Sequence, residues 1–329
     1  MTAYVNITFN HLSALQKWIT ESGGVATLDV KDLTMEVKHR GRYYRLFPTF
    51  QANVNGSLVH LPHLSEQVIG FGGWRPYTAF THPHSTQKPV FKDFVRAAGL
   101  RTPQAWDNHA PPPDRDYLLK PQTGSFGRGL FGPYRANAQP TASAQSLDEA
   151  APLFAEEFIS GQALKVWFWG ARPFFAHAQG RPTLQGDGTS TLADLLDRRI
   201  AASVARDAAA QKGVASACLA FQGHKLADVL RAGDEAWIDY RYGQQYVTGF
   251  GMTPTSDNQL DEVRQRSGTQ LADMGRALAK LLQETIPVPV MITVDGVLDE
   301  AGRIWWLEMN TNSLLPPEAY GAMFSDLFS

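Results

Sequence analysis

The stretch ITVDGVLDEAGRIWWLEMN, residues 292–310, says most about the fold. Two apolar runs, residues 290–298 and 303–309, flank the sequence DEAG at 299–302. Acidic residues followed by glycine between two apolar runs are typical of a tight turn between antiparallel strands. The stretch therefore predicts a β-hairpin, and its apolar residues indicate that the hairpin packs on a core.

Three oxygen-bearing side chains lie on the predicted hairpin. Glu308 and Asn310 are two residues apart in one strand, so both point to the same face, together with Trp306. The turn at 299–302 places Asp295 opposite Trp306 and diagonal to Glu308, about 7–8 Å away at the backbone. Mg²⁺ prefers such oxygen ligands and needs few of them when phosphates supply the rest. The hairpin therefore predicts a Mg²⁺ site; the alternative is a surface hairpin with scattered acids.

A glycine-rich turn, KPQTGSFGRG at residues 120–129, follows a predicted strand at 117–120. Its glycines let backbone N–H groups approach phosphate oxygens, and Lys120 supplies a cation. The sequence matches neither the P-loop nor the dinucleotide-binding pattern. A phosphate-binding turn is one interpretation and a plain flexible turn is the other.

Lys88 begins a predicted helix that has one apolar face and ends at Gly99. A lysine in the first turn opposes the helix dipole, so it adds little to local stability. Lys88 is therefore a candidate ligand-binding residue, with an exposed, solvated lysine as the alternative.

The composition excludes several classes of protein. The 329 residues include 30 basic and 32 acidic side chains, so there is no cationic surplus for binding nucleic acid. Cys218 is the single cysteine, which excludes an internal disulfide and a cysteine-based zinc site. No apolar run approaches the roughly 20 residues of a membrane helix, and the first residues lack a secretory-signal pattern. We expect a cytoplasmic protein of two or three subdomains, without nucleic-acid or membrane partners.

Local patterns predict further elements along the chain. Strands are predicted at residues 25–28, 43–47, 154–159, 164–169 and 174–178. Helices are predicted at residues 13–20, 193–206 and 262–284.

Five motifs occur in a characteristic order. They are Lys88 with GLRTP at 99–103, YLLKPQTGSFGRG at 117–129, AEEFISGQALKV at 155–166, GDGTSTLADLLDRR at 186–199, and the hairpin continued to residue 316. In this order they resemble the ATP-grasp superfamily of carboxylate–amine ligases, over residues 85–320. The GDG motif is most similar to a loop of cyanophycin synthetase and bifunctional glutathione synthetase. The hairpin is similar to that of D-alanine–D-alanine ligases.

The resemblance implies an α+β ATP-grasp fold, in which two α+β subdomains grip ATP and a small α/β domain precedes them. The implied N-terminal domain, on the substrate side, is residues 1–84. Residues 85–154 would form the central subdomain with a glycine-rich lid. Residues 155–329 would form the C-terminal subdomain, with a hinge strand and the metal site.

The resemblance also implies roles for individual residues. Lys88 and Lys120 would bind the ATP phosphates. The lid backbone would close over the phosphates through Gly124, Ser125, Phe126 and Gly127. The hinge would contact the nucleotide through Glu156, Glu157, Phe158, Ile159 and Gln162. The metal ligands would be Asp295, Glu308 and Asn310.

Two further residues are implied to be catalytic. Arg241 matches an arginine that faces the transferred phosphate or the acyl intermediate, and Lys165 matches a substrate-facing basic residue. The chain departs from the pattern at Ala163, where many relatives have a ribose-binding acid. Gln162 is a candidate replacement for that acid.

The implied activity is an ATP-dependent ligation of a carboxylate and an amine through an acyl phosphate, with release of ADP and phosphate. The implied cofactors are ATP and two Mg²⁺ ions, with Mn²⁺ as a substitute. The partners would be small-molecule acids and amines, such as amino acids or peptides, and a second copy of the chain. The alternatives are a small-molecule kinase on the same fold and a non-catalytic nucleotide- or peptide-binding module.

Overall fold

The computed structural model describes residues 2–54, 57–107, 114–121, 129–140, 153–201, 208–242, 258–286 and 289–329. The helices are α1 (Thr2–Ser22), α2 (Pro83–Thr86), α3 (Lys88–Ala97), α4 (Leu192–Ala201), α5 (Ala208–Phe221), α6 (Leu260–Ser267), α7 (Gln270–Thr285) and α8 (Ala319–Leu327).

The strands form four separate sheets within these ranges. They are β1 (Val25–Leu28), β2 (Met35–His39), β3 (Arg42–Val54), β4 (Ser57–Leu61), β5 (Val68–Arg75), β6 (Ala105–Asp107), β7 (Tyr117–Pro121), β8 (Phe131–Tyr134), β9 (Leu153–Glu157), β10 (Gln162–Trp169), β11 (Arg172–Gln179), β12 (Thr183–Gln185), β13 (Glu235–Trp237), β14 (Met291–Leu298) and β15 (Ile304–Asn310). Every described pairing between these strands is antiparallel, which confirms the predicted α+β class.

The N-terminal unit consists of α1 and β1–β5. Its sheet has the order β1-β2-β3-β4. Strand β5 pairs with residues 47–52 of the long strand β3, on the edge opposite β4. The predicted α/β character is corrected to α+β, because the strands are antiparallel neighbours and need no crossover helices. Helix α8 packs against the apolar side chains of this unit, so α1 and α8 belong to one apolar cluster. Buried members of this cluster include Leu15, Phe50, Trp74, Tyr320 and Phe324.

The central sheet, β6–β9, has the order β6-β9-β7-β8. Strand β9 lies in its middle, so this sheet extends to Glu157, past the boundary predicted at residue 154. Lys120 lies near the end of β7 and pairs with Phe154 of β9. Glu156 lies two residues further along β9, opposite Leu118.

The C-terminal sheet has the order β11-β10-β14-β15. Helices α3, α6 and α7 cover one of its faces, where alternate strand residues are buried against them. In α7 the buried residues recur at the three- and four-residue spacing that keeps them on one side of a helix. They are Leu271, Met274, Leu278 and Leu282.

The single helix predicted at 262–284 is two helices, α6 and α7. Gly268 separates them with a φ of 61°, a conformation that side chains other than glycine's rarely adopt. The apolar periodicity continues through the break because both helices pack on the same sheet.

Helices α4 and α5 and the β12-β13 pair form a smaller core of their own. Its packing uses apolar residues from each of these elements, including Leu184, Leu192, Leu219 and Ala236. Among the helices of the described ranges, none combines the length and apolar composition required to cross a bilayer.

Candidate active site

Three charged side chains lie side by side across the C-terminal sheet. Lys165 of β10 pairs with Asp295 of β14, and Asp295 pairs with Glu308 of β15. We call these three residues the strand row. The Lys165 ammonium donates to Asp295 Oδ1, and the Asn310 side chain lies 3.2 Å from Asp295 Oδ2. The predicted metal ligands are therefore brought together at one place.

A β-bulge produces this alignment and corrects the predicted register. Gly296 pairs with Trp306, whereas Asp295 pairs with Glu308, so Leu307 is an extra residue on β15. Asp295 consequently lies opposite Glu308, and the prediction that it lies opposite Trp306 was wrong. The inserted residue also reverses the alternation of faces. Trp306 packs in the core, while Glu308 points to the opposite face.

Lys88, at the beginning of α3, contacts the strand row. Its Nζ lies 3.7 Å from Glu308 Oε2. The helix is held in this position because Phe91 and Val95 are buried in the core under the C-terminal sheet. Burial lowers the pKa of Lys88, and the nearby carboxylates only partly offset this effect. The predicted phosphate-binding lysine thus meets a predicted metal ligand.

A second group of charges, the buried cluster, consists of Lys92, Lys120 and Glu156. The Glu156 carboxylate accepts a hydrogen bond from Lys120 and lies 2.5 Å from Lys92 Nζ. Lys92 also donates to Thr102 Oγ1 at 3.1 Å and to the Pro103 carbonyl at 3.2 Å. All three charged residues are buried. Glu156, predicted to contact the nucleotide, is therefore held between two lysines.

Sequence reasoning missed Lys92. A signal was present, because Lys92 lies four residues after Lys88 and falls on the buried face of α3 between Phe91 and Val95. A charged residue on an apolar helix face requires a buried partner. The sequence did not identify that partner, since Glu156 follows 64 residues later, on strand β9 of the central sheet.

The electrostatics of the buried cluster depend on the sharing of one carboxylate. Burial alone would raise the pKa of Glu156, but Lys120 and Lys92 outweigh it and the pKa is lowered. Burial lowers the pKa of Lys92 to about 8. The one carboxylate that Lys92 shares with Lys120 does not compensate for the lost hydration of the ammonium.

The two groups of charges form one site. Lys88 feels the charges of Lys120 and Glu156, and Glu308 feels those of Lys88, Lys120 and Lys165. Burial raises the pKa of Glu308, the neighbouring Asp295 raises it further, and the lysines only partly offset both. The site therefore joins the central sheet, the start of α3 and the C-terminal sheet.

The predicted hinge residues already have partners. The Glu157 carboxylate binds Arg115 at 3.0 Å and the Gln104 N–H at 3.2 Å. The ring of Phe158 packs among aromatic residues of α5 and β13. The Gln162 side chain accepts a hydrogen bond from Arg266, which occupies the oxygen considered for ribose. Contacts of these residues and of Ile159 with a nucleotide stay predictions.

Arg241 lies in a segment that approaches the strand row. Its guanidinium binds the buried Asp239 carboxylate, with Nη2–Oδ2 at 2.7 Å. The next residue, Tyr242, contacts His177 Nδ1 at 3.1 Å, and its ring centre lies 5.4 Å from Lys165 Nζ. The role of Arg241 in catalysis stays a prediction. The lid residues Gly124, Ser125, Phe126 and Gly127 lie outside the described residues.

Asp295, Glu308 and the neighbouring Asn310 fit a hard divalent cation. They offer two carboxylates and one amide oxygen as ligands within one cross-strand neighbourhood, with the Asn310 nitrogen donating to Asp295. The described part of the chain contains no group of three or more His, Cys, Asp or Glu residues that could hold a metal. A metal here would therefore use the amide and the oxygens of a substrate, as Mg²⁺ commonly does with phosphates.

No protein-family model matches the chain, and neither does any curated protein. Solved structures similar to it include a bifunctional glutathione synthetase from Pasteurella multocida, with 12% identity and a TM-score of 0.43. That match covers 96% of this chain and 43% of the other, so this chain spans less than half of that protein.

Two further similar structures are also ligases. A D-alanine–D-alanine ligase from Bacillus anthracis has 15% identity and a TM-score of 0.38, over 74% of this chain and 65% of the other. The ATP-grasp ligase PsnB, complexed with a minimal precursor, has 12% identity and a TM-score of 0.34, over 74% of this chain and 60% of the other. Similarity to ATP-grasp ligases is thus found among solved structures as well as in the motifs. At these TM-scores it carries no inference about the reaction, which has to come from the site.

Proposed function

We propose that this chain is an ATP-grasp ligase that joins a carboxylate to an amine through an acyl phosphate. The observation that supports this proposal is the convergence of lysines and carboxylates from α3, β7, β9, β10, β14 and β15 on one site. Phosphoryl transfer depends mainly on positioning and on neutralising charge, and this site offers both.

The charge balance of the site suits a polyphosphate. The buried cluster, the strand row and Lys88 together contain four lysines and three carboxylates, which leaves one net positive charge. A triphosphate brings several negative charges, so divalent cations would be needed to balance it. In this proposal, Lys88 and Lys120 bind the phosphates, while Asp295, Glu308 and Asn310 hold Mg²⁺, or Mn²⁺ in its place. The metal would draw charge from the phosphate oxygens and so favour attack at phosphorus.

The proposed reaction has two steps. In the first, an oxygen of the acid attacks the γ-phosphorus, the bond to the bridging oxygen of ADP breaks, and an acyl phosphate forms. In the second, the amine nitrogen attacks the acyl carbon, phosphate leaves with the bonding electron pair, and the nitrogen loses a proton. Activation is required because oxide is a poor leaving group and phosphate is a good one. Arg241 would stabilise the charge that develops on the acyl oxygen, and Lys165 would face the acid.

Product analysis tests the proposal. The purified chain is incubated with ATP, Mg²⁺ and paired amino acids or peptides, and phosphate, nucleotides and products are measured by a phosphate assay and mass spectrometry. We expect ADP, phosphate and an amide only when acid and amine are both present. A stable phosphorylated product from a single acceptor would instead indicate a kinase. AMP with pyrophosphate would overturn the mechanism, and no turnover with intact ATP binding would support a binding module.

A further inference from the structure

Arg75, the last residue of β5, is a buried cation that has no buried anion beside it among the described residues. It is 1% exposed. Lys92 and Lys120 are the other lysine or arginine side chains buried in the described ranges, and both contact Glu156. Within those ranges no carboxylate forms an ion pair with Arg75.

The guanidinium has unused donors. Its Nη2 donates to the Ser313 carbonyl, whereas Nε and Nη1 are buried and make no hydrogen bond. Among the described groups whose pKa is shifted, those that feel the Arg75 charge are His11, His60, Tyr77 and Tyr320. None of them is an acid that is ionised at neutral pH. Burial of an unpaired charge is strongly unfavourable, so an anion that completes this site would be bound firmly.

Arg75 lies close to the strand row. Ser313, whose carbonyl it binds, has its hydroxyl 2.6 Å from the hydroxyl of Thr293. Thr293 is two residues before Asp295 on β14 and on the same face, which puts their Cα atoms roughly 7 Å apart. Ser313 and Thr293 therefore connect Arg75 to the face of β14 that carries Asp295.

We propose that Arg75 binds a substrate carboxylate other than the one that reacts. The inference rests on the proposed function, which brings both an acid and an amine to this site. The second carboxylate can belong to the acid, which is then a diacid, or to the amine, which is then an amino acid. The bound carboxylate is enclosed, so salt screens the ion pair only weakly. The contact between β5 and Ser313 must open to admit it.

Binding is tested first by thermal unfolding without ATP. Adipate and suberate are the diacid probes, and alanine is the amino-acid probe. Hexanoate, which has one carboxylate and no amine, is the reference compound, and Mg²⁺-ATP is assayed separately. We expect at least one of the first three probes to raise the melting temperature of the wild type and to lose this effect in Arg75→Met. Arg45→Met is the matched control, because Arg45 belongs to the same sheet but is 46% exposed and paired with Asp32. Arg75→Lys keeps the positive charge but lacks the planar guanidinium. We therefore expect it to recover part of the rise in melting temperature that Arg75→Met loses.

Turnover then identifies the source of the carboxylate. Hydroxylamine replaces the amine and converts an acyl phosphate into a hydroxamate with release of phosphate. If Arg75→Met lowers kcat/KM about 10- to 100-fold for diacids with hydroxylamine, but not for hexanoate, the carboxylate belongs to the acid. If the loss occurs only with alanine and not with ethylamine as acceptor, it belongs to the amine.

The outcomes separate this inference from the proposed function. Replacing a buried unpaired charge by methionine is expected to leave the fold intact or to stabilise it. If no carboxylate probe stabilises the wild type, or if Arg75→Met responds like the wild type, Arg75 only packs and the inference is overturned. If carboxylates stabilise the protein through Arg75 but Mg²⁺-ATP does not, the proposed function fails and the anion site stands.

Discussion

The buried cluster and the strand row place lysine beside carboxylate in opposite ways. In the buried cluster one carboxylate, that of Glu156, lies between two lysines, and its side chain is 2% exposed. In the strand row two carboxylates lie side by side, and the Asp295 and Glu308 side chains are 18% and 28% exposed. The first arrangement places one acid between two cations, whereas the second places two acids side by side at partly exposed positions.

The pKa values express this difference. The two lysines lower the pKa of Glu156, whereas burial and Asp295 raise the pKa of Glu308. A carboxylate that the protein already stabilises gains little from a metal ion, while one that repels its neighbour gains much. We therefore expect Glu156 to hold the two lysines in place and Glu308 to be the carboxylate that binds a ligand.

The largest expected effect is on turnover at the strand row. Glu308→Ala removes a proposed metal ligand, so we expect kcat to fall by about 10²- to 10³-fold or more, with circular dichroism and the melting temperature nearly unchanged. Phosphate release with a productive pair of substrates is the measurement. Asp261→Asn, at a side chain that is 97% exposed, is the control and should retain activity. Activity close to wild type in Glu308→Ala would remove the metal assignment.

The second effect is on stability at the buried cluster. Glu156→Gln leaves two buried lysines without an anion, so we expect the free energy of unfolding to fall by about 3–5 kcal/mol. Glu308→Gln relieves repulsion with Asp295 and should not destabilise the protein. Urea denaturation of both variants measures the contrast.

A second substitution sharpens this test. Adding Lys92→Met to Glu156→Gln removes one of the orphaned charges and should recover part of the lost stability. Equal losses in Glu156→Gln and Glu308→Gln would contradict the distinction between the two groups of charges.

The smallest effect is a pH dependence from Lys92. The pKa of Lys92 is lowered to about 8 in the folded chain, whereas an unfolded lysine titrates near 10.4. Between these values the unfolded state binds more protons, so this group makes stability rise with pH, by on the order of 1 kcal/mol per pH unit. Lys92→Met should lack this contribution in urea midpoints measured from pH 7.5 to 9.5. Parallel curves for wild type and variant would show that Lys92 does not titrate there.

Much of the fold could be predicted because it follows local patterns. The hairpin strands, the strand at β7 and the helix that begins with Lys88 agree with the structure within a few residues. The register of the hairpin could not be predicted. A turn limited to residues 299–302 would pair Leu298 with Arg303, whereas Leu298 pairs with Ile304. The bulge at Leu307 then shifts the pairing again. Both depend on how the apolar residues fit the core, which spacing along one strand does not reveal.

The candidate site was predicted unevenly for the same reason. Asp295 and Glu308 were predicted together and Lys88 separately, and the structure brings Lys88 within 3.7 Å of Glu308. Lys92 and the unpaired state of Arg75 were not identified, because both depend on partners from distant segments or on their absence. Burial changes the energy of a charge more than any neighbour in sequence does.

The sequence by itself determined that the chain has both strands and helices, the hairpin with its acids, and the lysines that precede a glycine-rich turn. These features follow from periodicity and residue chemistry, which act over a few residues. Only the tertiary structure decided that Asp295 faces Glu308, that Glu156 is enclosed by two lysines, and that Arg75 is buried with no acid of the described ranges paired to it. The physical reason is that the pairing and hydration of a charge are set by groups that folding brings from remote positions, and the free energies involved exceed local preferences.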